Sequence, residues 1–298
     1  MDGGTWFITI LLFVMSLALI ALSFVPFYAR YSVLRYAQRL ELRLPAHLEG
    51  VMGRRLIARL RAGAVGAAVF VAAAAAALAR FVEPDRGSNL AGLLVIGAGF
   101  VGIGVGTAVA ALTAGSSVTP DQPRVARSGA VAVKDYLAPV ELVGARVVVA
   151  AAILLLVWVN VFTARNASVD YVGITLFSVF GVLSLVIFEV ASRRIVDQSQ
   201  PAGSTAELVW DDAIRASALR DLVTAPLALG VYCLLFGFVS VADANGDVVF
   251  GLLGGIVFVV LLAAAIVSRV TRTQSYFVRR LWPDLRWSDT ADATTDAA

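Results

Sequence analysis

Apolar runs of about 20 residues recur along the chain and alternate with polar stretches that are rich in arginine. A helix needs about this many apolar residues to cross the roughly 30 Å hydrocarbon core of a bilayer. The pattern therefore predicts an all-α polytopic integral membrane protein with seven transmembrane helices. We place these spans at 6–28, 63–82, 91–113, 144–164, 171–191, 223–243 and 248–268.

The arginines indicate how these spans are oriented. Basic residues concentrate in 30–62, 114–143, 192–222 and the residues after 268, whereas the opposite ends of the spans have only Arg80, Arg86 and Arg165. Cytoplasmic loops of membrane proteins carry an excess of Lys and Arg. We therefore predict an N-terminus outside and a C-terminus in the cytoplasm, in the plasma membrane of a bacterium.

This topology divides the chain into four segments. In order, they are an N-terminal transmembrane anchor (1–29), a cytoplasmic Arg-rich amphipathic segment (30–62), a six-helix membrane bundle (63–268) and a cytoplasmic tail (269–298). The bundle consists of three helical hairpins, with cytoplasmic helices near 131–143 and 204–222. Ser204 and Glu207 have the spacing of a capping box at the start of the second. The acidic, polar end of the tail has the composition of a disordered chain.

The segment 30–62 has a spacing that suits a surface helix. Arg35, Arg39 and Arg43 recur every four residues, with leucines between them, until Pro45 ends the helix. An amphipathic basic helix of this kind binds the anionic lipids of the inner leaflet. The alternative is that this and the other cytoplasmic helices dock a protein partner.

Glycines in the third span match a nucleotide-binding pattern. Gly97, Gly99 and Gly102 form a G-x-G-x-x-G sequence, which signifies dinucleotide binding only within a strand–turn–helix unit. A membrane span offers no such unit. Small residues every four positions instead predict a face on which helices pack closely. This helix-packing face consists of Ala98, Gly102, Gly106, Ala110 and Ala114.

Among the carboxylates, only Glu189 lies inside a predicted span instead of at its boundary, and it is near the inner end of that span. Ionisable groups in membrane helices are candidates for function because their burial in lipid is costly. Arg193 lies four residues later, in the favoured order for a helical ion pair. Two interpretations stay open: an interfacial ion pair, or a coupling carboxylate in a transport path.

The composition excludes several classes of function. The chain is 59% hydrophobic and 15% charged, and its basic residues flank the spans instead of forming a nucleic-acid-binding domain. His47 and Cys233 are the only histidine and cysteine, so we expect no metal site and no other cofactor. The only lysine, Lys134, lies in a loop, which excludes a retinal-binding rhodopsin. We predict that the protein is not an enzyme.

Two features of the chain carry a resemblance to known proteins. They are the abundance of Ala, Val and Arg and the segment Leu208-Val-Trp-Asp-Asp-Ala-Ile-Arg-Ala-Ser-Ala-Leu-Arg-Asp-Leu222. The chain resembles uncharacterised multi-pass membrane proteins of high-GC actinobacteria, and this resemblance implies no activity. Two functions remain. The cytoplasmic helices favour a transport-associated, permease-like subunit, and the small-residue packing face favours a non-catalytic scaffold or accessory subunit of a membrane complex.

Overall fold

The computed structural model describes residues 3–40, 42–81, 88–113, 131–162, 171–198, 200, 202–245, 249, 251–256 and 275–283. This part of the chain is helical, with short connections and no β-sheet. Its helices are α1 (Gly3–Leu22), α2 (Pro26–Leu40), α3 (Ala46–Phe81), α4 (Ser88–Thr113), α5 (Val133–Tyr136), α6 (Pro139–Phe162), α7 (Tyr171–Asp197), α8 (Thr205–Asn245) and α9 (Tyr276–Leu281). Residues 251–256 are also helical.

Five of these helices, α3, α4, α6, α7 and α8, are long and apolar enough to cross a membrane. A sixth candidate is the pair α1 and α2, which is bent by 96° between the two helices. The all-α prediction is confirmed for the described residues, and they contain five or six helices that could span a membrane. Most of the seventh predicted span, 248–268, lies outside them.

The first predicted span, 6–28, is divided in the structure. α1 ends at Leu22, and α2 begins at Pro26 and continues in a direction 96° from that of α1. Proline suits the start of a helix because its missing N–H would have no intrahelical partner there. The apolar run thus includes a sharp elbow, which we call the α1–α2 elbow (residues 23–25).

Glycine contacts show that α3 and α4 are antiparallel. A Cβ atom added to Gly66 would overlap the carbonyl of Gly102, and one added to Gly106 would overlap the carbonyl of Ala62. The two backbones therefore touch along more than one turn. Small residues permit this approach in membrane helices.

Helices α6 and α7 form a second antiparallel hairpin, and α8 packs against both of them. α6 and α7 are antiparallel, since Arg146 pairs with Glu189 while Ala152 contacts Ser178. Seen along the bundle, α6 and α8 are parallel, because Gly230 lies against Val148 and Gly237 against Leu155. α8 also packs on α4 and α7, so it is the central helix of the described bundle.

Large apolar side chains are exposed all along the spans. Leu154 and Val161 on α6 are 69% and 66% exposed, and Val69 on α3 is 58% exposed. Water would disfavour so many exposed apolar groups, whereas lipid solvates them. Long helices with this surface are those of a membrane-embedded protein.

α3 and α8 are longer than a bilayer requires. At 1.5 Å per residue, the 41 residues of α8 extend about 60 Å, roughly twice the hydrocarbon thickness. The first half of each helix contains most of its charged residues and therefore lies beyond the apolar part. These halves are residues 46–61 of α3 and residues 205–222 of α8, and they lie together with the three shorter helices α2, α5 and α9. We call this region the basic end of the bundle.

Candidate functional site

Residues 205–222 of α8 form the centre of the basic end. The Glu207 N–H donates to Ser204 Oγ at 3.2 Å, as the capping-box spacing predicts, and the Glu207 carboxylate accepts from the Gly203 N–H at 2.9 Å. These bonds satisfy backbone N–H groups that a helix start leaves without partners. Trp210 is fully buried in the cluster of side chains around this segment.

Asp212 is a completely buried carboxylate within this cluster. Its Oδ1 accepts hydrogen bonds from the Tyr136 hydroxyl at 2.8 Å and from Gln200 Nε2 at 2.9 Å, and its Oδ2 accepts from Trp282 Nε1 at 2.9 Å. A buried charge is costly unless it is hydrogen-bonded. Asp212 therefore stabilises the positions of α5, through Tyr136, and of the residues that follow α9, through Trp282.

Ion pairs connect the same segment to α3 and α6. Asp211 pairs with Arg55, Asp221 accepts from Arg59 Nη2 at 2.5 Å, and Arg220 Nε donates to Glu141 at 3.0 Å. In each pair the arginine or its partner is largely buried. These contacts tie the first turns of α6 and the polar half of α3 to α8.

Asp211 lies well before the apolar part of α8. Burial raises the pKa of this carboxyl group above its ordinary value, and the guanidinium of Arg55 opposes the rise. The desolvated carboxylate therefore depends on its arginine for stabilisation, which makes the pair a fixed structural contact.

The α1–α2 elbow is held by Arg61 of α3. Arg61 Nε donates to Ser23 Oγ at 3.0 Å, and Arg61 Nη2 donates to the Ser23 carbonyl at 3.3 Å. The guanidinium also lies 4.0 Å from the centre of the Phe24 ring, within the range of a cation–π contact. The elbow is therefore anchored to the point where α3 enters its apolar half.

One face of α2 packs on the bundle. Val33, Ala37 and Leu40 are buried, and the Tyr36 hydroxyl donates to the Ala213 carbonyl at 2.7 Å. Trp210 Nε1 donates to the Arg43 carbonyl at 3.1 Å, beyond the end of the helix. The predicted 30–62 segment is thus two helices, α2 and the first half of α3, joined at the basic end.

A cavity of about 660 Å³ lies between α1 and α2 on one side and helices α3, α4 and α8 on the other. This volume is within the range of small-molecule sites. Along α3 its lining extends from Leu56 to Val71, which is about 22 Å at 1.5 Å per residue. The cavity thus begins at the basic end and continues into the apolar part of the bundle.

The two ends of this cavity differ in chemistry. Polar groups line the basic end, whereas mostly apolar and aromatic side chains line the remainder. Ser16 and Thr107 also line that remainder, and each hydroxyl donates to a carbonyl of its own helix. The polar group comprises Tyr28, Tyr31, Ser32, Arg35, Tyr36, Arg39, Arg59, Ser217 and Asp221, and the apolar group includes Leu12, Met15, Leu19, Val71, Ile96, Phe100 and Ile103. Such a lining suits a molecule with one charged end and one apolar end.

Glu189 lies elsewhere, at the α6–α7 contact. Its Oε1 accepts from Arg146 Nη2 at 2.6 Å and from Arg146 Nε at 2.9 Å, while Arg193 approaches Oε2 only to 3.9 Å. The structure thus brings Glu189 near Arg193 but places Arg146 closer. None of the three lines the cavity.

The small-residue face of α4 is directed in part toward α3. Gly102 and Gly106 form the backbone contacts with α3 described above, whereas Ala98 and Ala110 are half-buried. Ala114 lies outside the described residues. The partners on α3, chiefly Gly66 and Ala62, have a similar small-residue spacing.

Comparison of the sequence with models of protein families, with curated proteins and with solved structures finds no match. Among the residues that the structure describes, no group of three or more His, Cys, Asp or Glu side chains could hold a metal ion. Any statement about function therefore depends on the geometry of the cavity and the basic end.

Sequence reasoning did not find Asp212, Tyr136 or the cavity. Asp212 is one of two adjacent aspartates on a predicted cytoplasmic helix, and the spacing of residues does not mark either one as buried. The one available signal was the tryptophan at position 210, two residues before Asp212, because a large apolar side chain on a polar helix indicates packing against other helices. The structure buries this side chain fully. The cavity gave no signal, since its walls come from five helices.

Proposed function

We propose that the protein binds an amphiphilic small molecule in the cavity beside the α1–α2 elbow and acts in a transport-associated, permease-like role in the bacterial cytoplasmic membrane. One observation supports this: a cavity of about 660 Å³ that joins a cationic end to an apolar interior. A purely structural bundle has no need of such a space, because empty apolar volume lowers stability.

The binding part of this proposal can be tested with dansyl-labelled undecanoic acid, which fluoresces more strongly in an apolar site. The purified full-length chain in detergent should enhance the fluorescence in a saturable way. Ile103→Trp, which fills the cavity from α4, should remove most of the enhancement. Val147→Trp is the matched control, because Val147 is exposed on α6 and does not line the cavity. Equal enhancement by both variants would contradict the proposal.

Transport is tested with the same probe in proteoliposomes. The rate at which the probe crosses the bilayer should exceed that of protein-free vesicles, and Ile103→Trp should return it to that level. A rate equal to that of empty vesicles, with binding intact, would reduce the function to amphiphile binding alone.

We place the basic end in the cytoplasm, with the N-terminus outside. Support comes from the distribution of arginine, since the helix ends opposite the basic end carry few basic residues. On a Cys233→Ala background, Gly4→Cys should react with a membrane-impermeant maleimide on intact cells, and Ala298→Cys should react only after lysis. The reverse pattern would invert the orientation.

A second candidate is a non-catalytic scaffold or accessory subunit of a membrane complex. The observation in its favour is the number of contacts that hold residues 205–222 to α2, α3, α5 and α6, which give the basic end a fixed surface. A scaffold should be purified in mild detergent with a partner in constant ratio. A lone monomer that binds the dansyl probe would favour the first candidate.

A further inference from the structure

Two arginines of α2 line the basic end of the cavity, one helical turn apart. Arg39 has no hydrogen bond or ion pair with any residue that the structure describes. Arg35 contacts Tyr31 of its own helix, with Nη1 at 3.2 Å from the hydroxyl and the guanidinium carbon at 5.8 Å from the ring centre. Neither cation is neutralised by a described carboxylate.

The third arginine in the lining differs from these two. Arg59 donates to Asp221 through both Nε and Nη2, at 3.1 and 2.5 Å, so this pair contributes little net charge. The basic end of the cavity therefore retains an excess of positive charge at Arg35 and Arg39. Two guanidinium groups that are four residues apart on one helix and line the same cavity favour an anion with several oxygen atoms, such as a phosphate ester, because each can donate two hydrogen bonds.

The direction of α2 places these arginines at the depth of lipid headgroups. α1 crosses the apolar part of the bundle beside α3 and α4, and α2 departs from it at 96°. A helix at this angle lies in the plane of the membrane surface. The side chain of Phe27 agrees with that position, since it is exposed and does not line the cavity.

The length of the cavity matches the acyl chains of one lipid leaflet together with a headgroup. The lining extends about 22 Å along α3, whereas the acyl chains of one leaflet occupy about 15 Å, half of the hydrocarbon core. The remaining length accommodates a headgroup. Leu12 and Met15 of α1 and Phe100 and Ile103 of α4 are on the apolar walls.

We propose that the cavity binds an anionic phospholipid, with the phosphate between Arg35 and Arg39 and one acyl chain between α1 and α4. This inference rests on the proposed function, since it names the chemical class of the amphiphile. Charge selects the lipid at the basic end, and the apolar walls select a molecule that has a chain. A free phosphate ester satisfies only the first requirement.

The test uses the full-length chain in detergent and native mass spectrometry. Phosphatidylglycerol should remain bound. Phosphatidylcholine has the same phosphate but adds a trimethylammonium cation that the two arginines repel, so it should bind about tenfold more weakly, equivalent to about 1.4 kcal/mol. Excess glycerol phosphate should not displace phosphatidylglycerol. Displacement by glycerol phosphate would overturn the lipid assignment in favour of a soluble phosphate ester.

Substitution of the two arginines tests where the lipid headgroup binds. Arg35→Gln and Arg39→Gln should each weaken phosphatidylglycerol binding about tenfold. Arg30→Gln is the matched control on the same helix, because Arg30 pairs with Glu49 at 2.8 Å and does not line the cavity. An equal loss for Arg30→Gln would mean general attraction to the basic surface and would overturn the site.

Substitutions that fill the apolar end of the cavity test where the acyl chain binds. Ile103→Trp, or Met15→Trp if the first variant does not fold, should abolish lipid retention while Val147→Trp retains it. Retention by the folded Ile103→Trp variant would place the chain outside the cavity and overturn the proposal. If the dansyl probe binds and Ile103→Trp blocks it, yet phosphatidylglycerol and phosphatidylcholine bind equally, the assignment to an anionic lipid fails and the proposed function stands. If Ile103→Trp changes neither ligand, both fail.

Discussion

The carboxylate of Glu189 on α7 accepts two hydrogen bonds from the guanidinium of Arg146 on α6, at 2.6 and 2.9 Å. The pair lies at the ends of the two helices nearest the basic end, and the side chains are 29% and 55% exposed. An ion pair in this position links two helices without the cost of a fully buried charge. The pair is outside the cavity, which is why the proposed function does not use it.

Glu189→Gln should therefore have a small effect. In a double-mutant cycle with Arg146→Gln, we expect a coupling energy of at most about 1 kcal/mol, because both groups remain partly solvated. The matched cycle is Glu141→Gln with Arg220→Gln, whose side chains are only 13% and 18% exposed. That cycle should give up to about 3 kcal/mol. Equilibrium unfolding in mixed detergent measures both, and equal couplings would contradict the difference in burial.

The same substitution separates two interpretations of Glu189. If the carboxylate couples transport, Glu189→Gln should abolish movement of the dansyl probe across proteoliposomes. We expect unchanged movement and unchanged binding, since Glu189 does not line the cavity. A folded Glu189→Gln variant that binds the probe but does not move it would assign the carboxylate to a transport path.

Tyr136→Phe should destabilise the basic end. The substitution removes the hydroxyl that donates to the buried carboxylate of Asp212, and an acceptor left short of a donor costs about 1–3 kcal/mol. Tyr276→Phe is the control, since that hydroxyl donates to the Lys134 carbonyl at an exposed site. The control should change stability by less than about 0.5 kcal/mol. Thermal unfolding of the two variants checks this order.

Gly102→Ala should lower the stability of the α3–α4 pair by about 1–3 kcal/mol, the usual cost of overpacking. The added Cβ would overlap the backbone carbonyl of Gly66, which cannot move without displacing α3. Gly255→Ala has nothing within 4 Å of the added atom and serves as the control. An unfolding temperature for Gly102→Ala equal to that of the control would show that the two helices are not in backbone contact.

Trp282→Phe should loosen the segment that follows α9. The indole N–H donates to Asp212 Oδ2 at 2.9 Å, and phenylalanine cannot replace this bond. Faster tryptic cleavage after Arg279 and Arg280 is the expected result, because a protease requires the local chain to open. Trp6→Phe, at an exposed position on α1, should leave the cleavage rate unchanged. No acceleration in Trp282→Phe would mean that other contacts hold α9.

Much of the architecture follows from local sequence. The spans of α3, α4, α6, α7 and α8 could be predicted because a run of apolar residues must form its hydrogen bonds within one helix when lipid surrounds it. The capping of α8 at Ser204 is equally local, since donor and acceptor are three residues apart. The close contact at Gly102 followed from spacing on one helix, although its partner Gly66 did not.

The remaining features depend on residues far apart in the chain. The sequence alone determined which segments are apolar helices and where positive charge accumulates, because both depend on near neighbours. Only the tertiary structure decided that Glu189 faces Arg146 and that Asp212 is buried beside Tyr136 and Trp282. It also decided that α1 and α2 pack against α3, α4 and α8 around a cavity. Each of these contacts joins separate helices, and the free energy that selects it comes from the packing of the whole bundle.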